Sequence, residues 1–186
     1  FLIFNAFNTV AAFTFFIIVY YLFNGDAGAA GIWPTLFGSI GALSTTFLVI
    51  PIVARMSKLM GKKKAFMISQ SISVFGYILL WFLFIPGKPY LFLIALPFFS
   101  FGIGGLFTIM MSMTADVIDL DELTSGKRRE GIFGAIYWWM VKFGFAIAGG
   151  LSGAIFTLIG FETSLEVQSE TAITGLRLFF SGLPIL

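Results

Sequence analysis

Charge is absent from this chain over membrane-scale distances. Phe1 to Asn24, Ala27 to Ala54, Ala65 to Gly87 and Pro89 to Ala115 contain no Asp, Glu, Lys or Arg. Gly131 to Phe161 is interrupted only by Lys142, and Thr171 to Leu186 only by Arg177. About 20 apolar residues cross the hydrocarbon core of a bilayer as a helix. Lipid offers no hydrogen-bond partners, so each such stretch must satisfy its own backbone as a helix. The pattern predicts an all-α, polytopic membrane protein with six transmembrane helices, at about 1–24, 31–54, 65–86, 90–118, 130–160 and 171–186.

Composition excludes the other classes. Charged residues make up 11% of the chain, against roughly 25% in a soluble domain. That is too few to cover a water-facing surface, so a soluble enzyme, a disordered chain and a nucleic-acid binder are poor readings. The chain has no Cys and no His, which removes disulfides, thiolate chemistry and the commonest metal ligand. There is no G-x-x-x-x-G-K-[ST] phosphate loop. The "GIGG" of Gly102 to Gly105 lies inside an apolar stretch and follows no strand, so a dinucleotide site is not expected. No catalytic residue, metal or resident cofactor is expected.

The links set an orientation. Arg55, Lys58, Lys62, Lys63 and Lys64 crowd the second link, and Lys127, Arg128 and Arg129 the fourth. The alternate links hold Asp26, then Lys88, then Glu162, Glu166 and Glu170. The excess of basic residues on cytoplasmic loops predicts a multi-pass cell-membrane protein with the second link, the fourth link and both chain ends cytoplasmic. The chain starts without an initiator Met or a basic leader, and its last stretch holds 16 residues. It is therefore expected to be a fragment.

Lys142 is the most constraining polar residue. It lies 11 residues past Gly131, ~16 Å along a helix. A lysine near mid-membrane costs ~2.5–3.5 kcal/mol and normally faces a cavity or a partner. Trp138, four residues earlier, shares its face. An ammonium beside an indole suits a polar ligand with an apolar side, such as a sugar; lipid contact explains Trp138 almost as well. Ser112, Asp116 and Asp119 share another face, and the next helix opens with Lys127, Arg128, Arg129 and Glu130. Opposite charges at one membrane face make a lock that has to break before a cavity opens there, although a solvated helix end has the same pattern. Asn5, Asn8 and Thr9, and likewise Gln70, Ser73 and Tyr77, suit interhelical hydrogen bonds or a substrate path. Gly149 and Gly153 form a small-xxx-small pair, read as close helix packing.

One stretch carries a resemblance. "ADVIDLDELTSGKRREGIFGA" (Ala115 to Ala135) resembles the segment between helices ten and eleven of the glycoside–pentoside–hexuronide:cation symporters, the melibiose-permease-like branch of the major facilitator superfamily. "MVKFGFAIAGGLSGAIFTLIGF" is similar to their helix eleven, "TGLRLFFSGLP" to the start of helix twelve, and "VARMSKLMGKKKAF" to the basic loop between helices eight and nine. The basic loop comprises Arg55, Gly61, Lys62, Lys63 and Lys64. Ala54-Arg55 departs from the Asp-Arg common in the wider superfamily.

The resemblance implies one half of a major facilitator fold, helices seven to twelve, with an N-terminal six-helix half as partner. It implies cation-coupled symport of a sugar, glycoside or hexuronide by alternating access. The coupling Na⁺ or H⁺ would sit mainly on the other half. Lys142 and Trp138 would be substrate-binding, and Asp116, Asp119, Glu122, Arg128 and Arg129 a cytoplasmic gate. Lysophospholipid symporters resemble the same family and remain open as a reading. So does a six-helix assembly subunit with no transport cycle.

Overall fold

The computed structural model describes residues 2–162, 165 and 167–185. Phe1 and Leu186, the outer limits of the first and last expected spans, and Glu166 lie outside the described residues. Among the described residues six helices follow one another: α1 (Leu2–Leu22), α2 (Ala27–Met60), α3 (Lys62–Leu83), α4 (Leu96–Ser125), α5 (Glu130–Leu158) and α6 (Glu170–Gly182). The first five are long and apolar enough to cross a membrane. The shorter α6 continues into a 3₁₀ turn at Leu183–Ile185. No strand is present among the described residues.

Local chemistry moves several boundaries away from the expected ones. α2 starts at Ala27 because the Asp26 carboxylate accepts from the Ala29 N–H at 2.8 Å and caps a first short turn. The chain then turns at Gly31 (φ 44°) and re-enters the helix at Trp33. α4 runs past residue 118 to Ser125, carrying its acidic residues with it, and stops at Gly126 in the left-handed conformation (φ 67°). Ile17–Leu22 of α1 and Ser44–Val49 of α2 adopt the wider π-helical turn.

α3 lies along α4, α2 against α4, and α1 along α5. Small residues permit the α3–α4 approach. A Cβ on Gly76 would lie 2.3 Å from the Phe99 backbone nitrogen, and one on Gly105 would lie 2.2 Å from the Ser69 hydroxyl. The "GIGG" segment is thus a packing surface, touched by α3 at Gly102 and Gly105 and by Val49 of α2 at Gly104. Hydrogen bonds cross the same seams: Gln70 Nε2 donates to the Gly102 carbonyl at 3.1 Å and Ser73 Oγ to that of Phe99 at 3.1 Å. Asn8 and Thr9, in contrast, donate to carbonyls of their own helix at Phe4 and Asn5.

Much of the phenylalanine content forms a core. Phe13, Phe92 and Phe180 are fully buried. Phe84 stacks on Phe92 at 5.3 Å, and Phe13 meets Phe156 edge-on at 5.0 Å. This core fills the bundle toward the end away from the two basic links.

Helix α5 differs from the others. Its buried residues are Gly144, Ala148, Ser152 and Ile155, a single stripe. Gly149 and Gly153 are exposed, with nothing within 4 Å of an added Cβ. The expected close packing at this glycine pair is not met by any described residue of the chain, because the buried stripe lies on Gly144 and Ala148 instead.

Candidate functional site

A cleft of about 660 Å³ opens between α1, α2 and α4. Phe7, Phe15, Phe37, Phe99 and Phe107 form most of its wall, and Thr14, Thr45, Thr46 and Ser100 add hydroxyls. The π turn of α2 delivers Thr45 and Thr46 to it. The carbonyl of Gly41 accepts from both Thr45 (2.8 Å) and Ser100 (3.2 Å), tying α2 to α4 inside the cleft. No charged residue among the described ones lines it.

Rings lead from the cleft to Lys142. Phe107 meets Phe4 edge-on at 6.1 Å, and Phe4 meets Phe145 of α5 at 5.1 Å. Trp138, Lys142, Phe145 and Gly149 follow helical spacing and share one face of α5. Lys142 is therefore one turn from the aromatic wall, on the side toward the basic links. It lies 12 residues into α5, about 18 Å from its start. Lys142 is exposed and has no hydrogen-bond, ion-pair or cation–π partner among the described residues. Trp138 is 51% exposed, its ring against Tyr137 at 5.5 Å and not under the ammonium.

The expected gate residues divide into two groups. Lys62, the first residue of α3, holds Asp116 through both carboxylate oxygens at 2.6 Å and donates to the Ser112 carbonyl at 3.1 Å. Asp116 was expected to pair with the Lys127–Arg129 run; its partner instead comes from the other basic link, because α3 lies along α4. Arg128 reaches Glu122 at 2.9 Å, Glu130 at 3.2 Å and Asp119 at 3.9 Å. Those hydrogen bonds, to Glu130 first and Glu122 second, hold its guanidinium above the ordinary arginine range. Arg129 takes Asp121 in a two-pronged pair, with Nε to Oδ2 at 2.9 Å.

Asp121 is 16% exposed and was not among the expected gate residues. Its spacing of eight from Arg129 across Gly126 was the available signal. Arg55, Lys63 and Lys64 are exposed without ion-pair partners among the described residues, and Gly61 (φ 85°) makes the turn between α2 and α3.

The sequence that builds this cleft matches a known kind of protein. The chain matches the MFS/sugar transport protein family over residues 1–186. It is 29% identical over 175 residues to the glucuronide carrier protein homolog of Escherichia coli, covering 94% of this chain and 36% of that protein. It is 31% identical over 74 residues to the putative glycoside/cation symporter YagG of the same organism, covering 40% and 16%. It is also 31% identical over 85 residues to the sodium-dependent lysophosphatidylcholine symporter 1-A of Danio rerio, covering 45% and 16%. The chain thus spans about a third or less of the length of these curated relatives. No solved structure matches it. The chain is a multi-pass membrane protein that belongs to the MFS/sugar transport family, within the glycoside–pentoside–hexuronide:cation symporters.

Proposed function

We propose that the chain is the C-terminal six-helix half of a cation-coupled symporter that carries a sugar, glycoside or hexuronide by alternating access, and that it is a carrier and not an enzyme. The observation that carries this reading is the cleft between α1, α2 and α4, joined by Phe107, Phe4 and Phe145 to the exposed face of α5 that bears Lys142. A lysine at mid-helix with an open face needs a cavity or a partner. A second six-helix half, closing over the cleft and over Gly149 and Gly153, supplies both. Lys142 then stands at the interface as the hydrogen-bond donor to substrate hydroxyls or a hexuronate carboxylate, with Trp138 beside it. The coupling Na⁺ or H⁺ is held mainly by the partner half.

In this reading the two basic links and both chain ends are cytoplasmic, since those links and the helix ends beside them carry eight of the eleven basic residues. The pairs Lys62–Asp116, Arg128–Glu122 and Arg129–Asp121 brace the cytoplasmic end of α3, α4 and α5 while the cavity faces outward. Asp116→Asn should loosen that end. An exposed pair contributes ~0.2–1 kcal/mol, so cysteine labelling at cytoplasmic-side positions should speed up by about 1.4- to five-fold. Lys62→Gln should do the same, and the double variant little more. Unchanged labelling in both single variants removes the pair from the gate.

A lysophospholipid cargo is the second reading, and the aromatic wall of the cleft, which carries no charge among the described residues, favours it. Tracer uptake by cells expressing the full-length gene separates the two. Glycosides, pentosides, hexuronates and a lysophospholipid would be compared with and without a Na⁺ or H⁺ gradient. Gradient-dependent uptake of a sugar supports the symporter reading and identifies the ion. Uptake of the lipid alone keeps the fold and replaces the cargo, and no vectorial uptake by well-inserted protein counts against transport.

A further inference from the structure

Arg177, on α6, interrupts the last apolar stretch and takes no part in the cleft or in the charge pairs above. Its guanidinium lies over the Tyr21 ring at 4.3 Å and over the Trp81 ring at 4.4 Å. Nη2 donates to the Trp81 carbonyl at 3.1 Å. Nε is buried and has no hydrogen-bond partner. The arginine borders a cavity of about 360 Å³ at the end of the bundle opposite the basic links, with Tyr20, Asn24, Thr174 and Glu170 on its walls. No carboxylate among the described residues lies within ion-pair distance of Arg177.

We propose that this cavity binds the head of a zwitterionic, amine-bearing glycerophospholipid, with the phosphate on Arg177, the ammonium at Glu170 and one acyl chain in the groove between α3 and α6. The charges define the head. Glu170 stands seven residues before Arg177 and shares its helix face, about 10 Å away along the axis. The two do not pair directly, so the cavity offers a positive site and a negative site at separate depths. A purely anionic head would face Glu170, and a purely cationic one would face Arg177. A head carrying phosphate and ammonium satisfies both and gives the guanidinium a charge-assisted partner.

The position and the groove define the rest of the molecule. Tyr20, Tyr21 and Trp81 gather around Arg177 near the ends of α1 and α3, and aromatic residues of this kind mark the headgroup level of a bilayer. On the other side of Trp81 lies an apolar groove of about 200 Å³ between α3 and α6, with Ile78, Phe82, Leu178 and Gly182 on its walls. Phe82 and Leu178 are exposed there. A Cβ on Gly182 would meet nothing within 4 Å, so the groove is open along that glycine. A soluble zwitterion would leave this groove unused.

The test is lipid binding to the purified full-length protein in detergent, read by native mass spectrometry. The probes are phosphatidylethanolamine, phosphatidylglycerol and the water-soluble glycerophosphoethanolamine. Phosphatidylethanolamine should bind at least ten-fold more tightly than phosphatidylglycerol, and the soluble head should not compete. Arg177→Gln should weaken phosphatidylethanolamine about ten-fold. Glu170→Gln should abolish the preference over phosphatidylglycerol, and Gly182→Leu should weaken both lipids by filling the groove. Should Arg177→Gln fail to fold, Glu170→Gln and Gly182→Leu decide, since neither empties the aromatic cage of its charge. Equal binding of the two lipids by the wild-type protein overturns the proposal. So does unchanged binding in both Glu170→Gln and Gly182→Leu, or full competition by the soluble head.

Discussion

Lys142→Ala in the whole transporter is expected to lower substrate uptake by roughly 10- to 100-fold while the protein still reaches the membrane. The reason is the placement of the ammonium. It lies at mid-helix, on a face of α5 that the described residues leave open, one turn from the ring that Phe145 sets against Phe4. Its three donors have no partner among the described residues. A hydrogen bond to a charged group contributes about 1.5–3 kcal/mol, and each 1.4 kcal/mol is about ten-fold in affinity. Lys142→Arg keeps the charge but carries a planar fork in place of a compact ammonium, so it should restore only part of the uptake. Initial rates across a range of substrate concentrations, normalised to surface protein, would measure this. Uptake within two-fold of wild type for Lys142→Ala would make the lysine a packing residue of α5.

The second large effect concerns stability. Gly76→Val should destabilise the bundle by about 1–3 kcal/mol, toward the upper end of the range for overpacking. The obstacle is backbone: the added Cβ would sit 2.3 Å from Phe99 N and 2.8 Å from Phe99 Cα and Phe98 C. A helix backbone cannot step aside as a side-chain tip can, so α3 and α4 must separate and break the Gln70 and Ser73 hydrogen bonds between them. Gly38→Ala is the matched control, since a Cβ there meets nothing within 4 Å. It should leave stability unchanged or raise it slightly through the lower backbone entropy of Ala. Thermal unfolding in detergent, read by far-ultraviolet circular dichroism, compares the pair. Equal midpoints for the two variants would mean that α3 and α4 approach less closely than described.

The helices were legible in the sequence because lipid imposes one rule on every backbone group, and charge-free stretches record that rule directly. The depth of Lys142 followed from counting. What the sequence left dark depends on which helix lies beside which. Lys62 and Asp116 are 54 residues apart, and no local pattern joins them. The "GIGG" segment could be excluded as a nucleotide site by its lack of a preceding strand, yet only the α3–α4 contact shows what its missing side chains make room for. Gly149 and Gly153 show the converse, for a small-residue pair announces that something can approach but not what does. The ring sandwich on Arg177 joins three helices, α1, α3 and α6, and was invisible as a pattern.

The wide turn at Ser44–Val49 keeps α2 in phase. The buried residues of this helix include Phe37, Gly41, Val49 and Val53, each a multiple of four from the next. On an uninterrupted α-helix these would spread over about 160°, and the two ends would present different faces to α4. The i→i+5 turn absorbs about one extra residue and so returns about 100°. One face then stays on α4 from the aromatic core to the basic link. The turn for that reason lets α2 carry one residue more than a regular α-helix with the same faces. A chain one residue shorter there would close to an ordinary α-helix with Val49 still on Gly104 and Lys62 still presented to Asp116, whereas one residue longer would rotate Val49 off that contact.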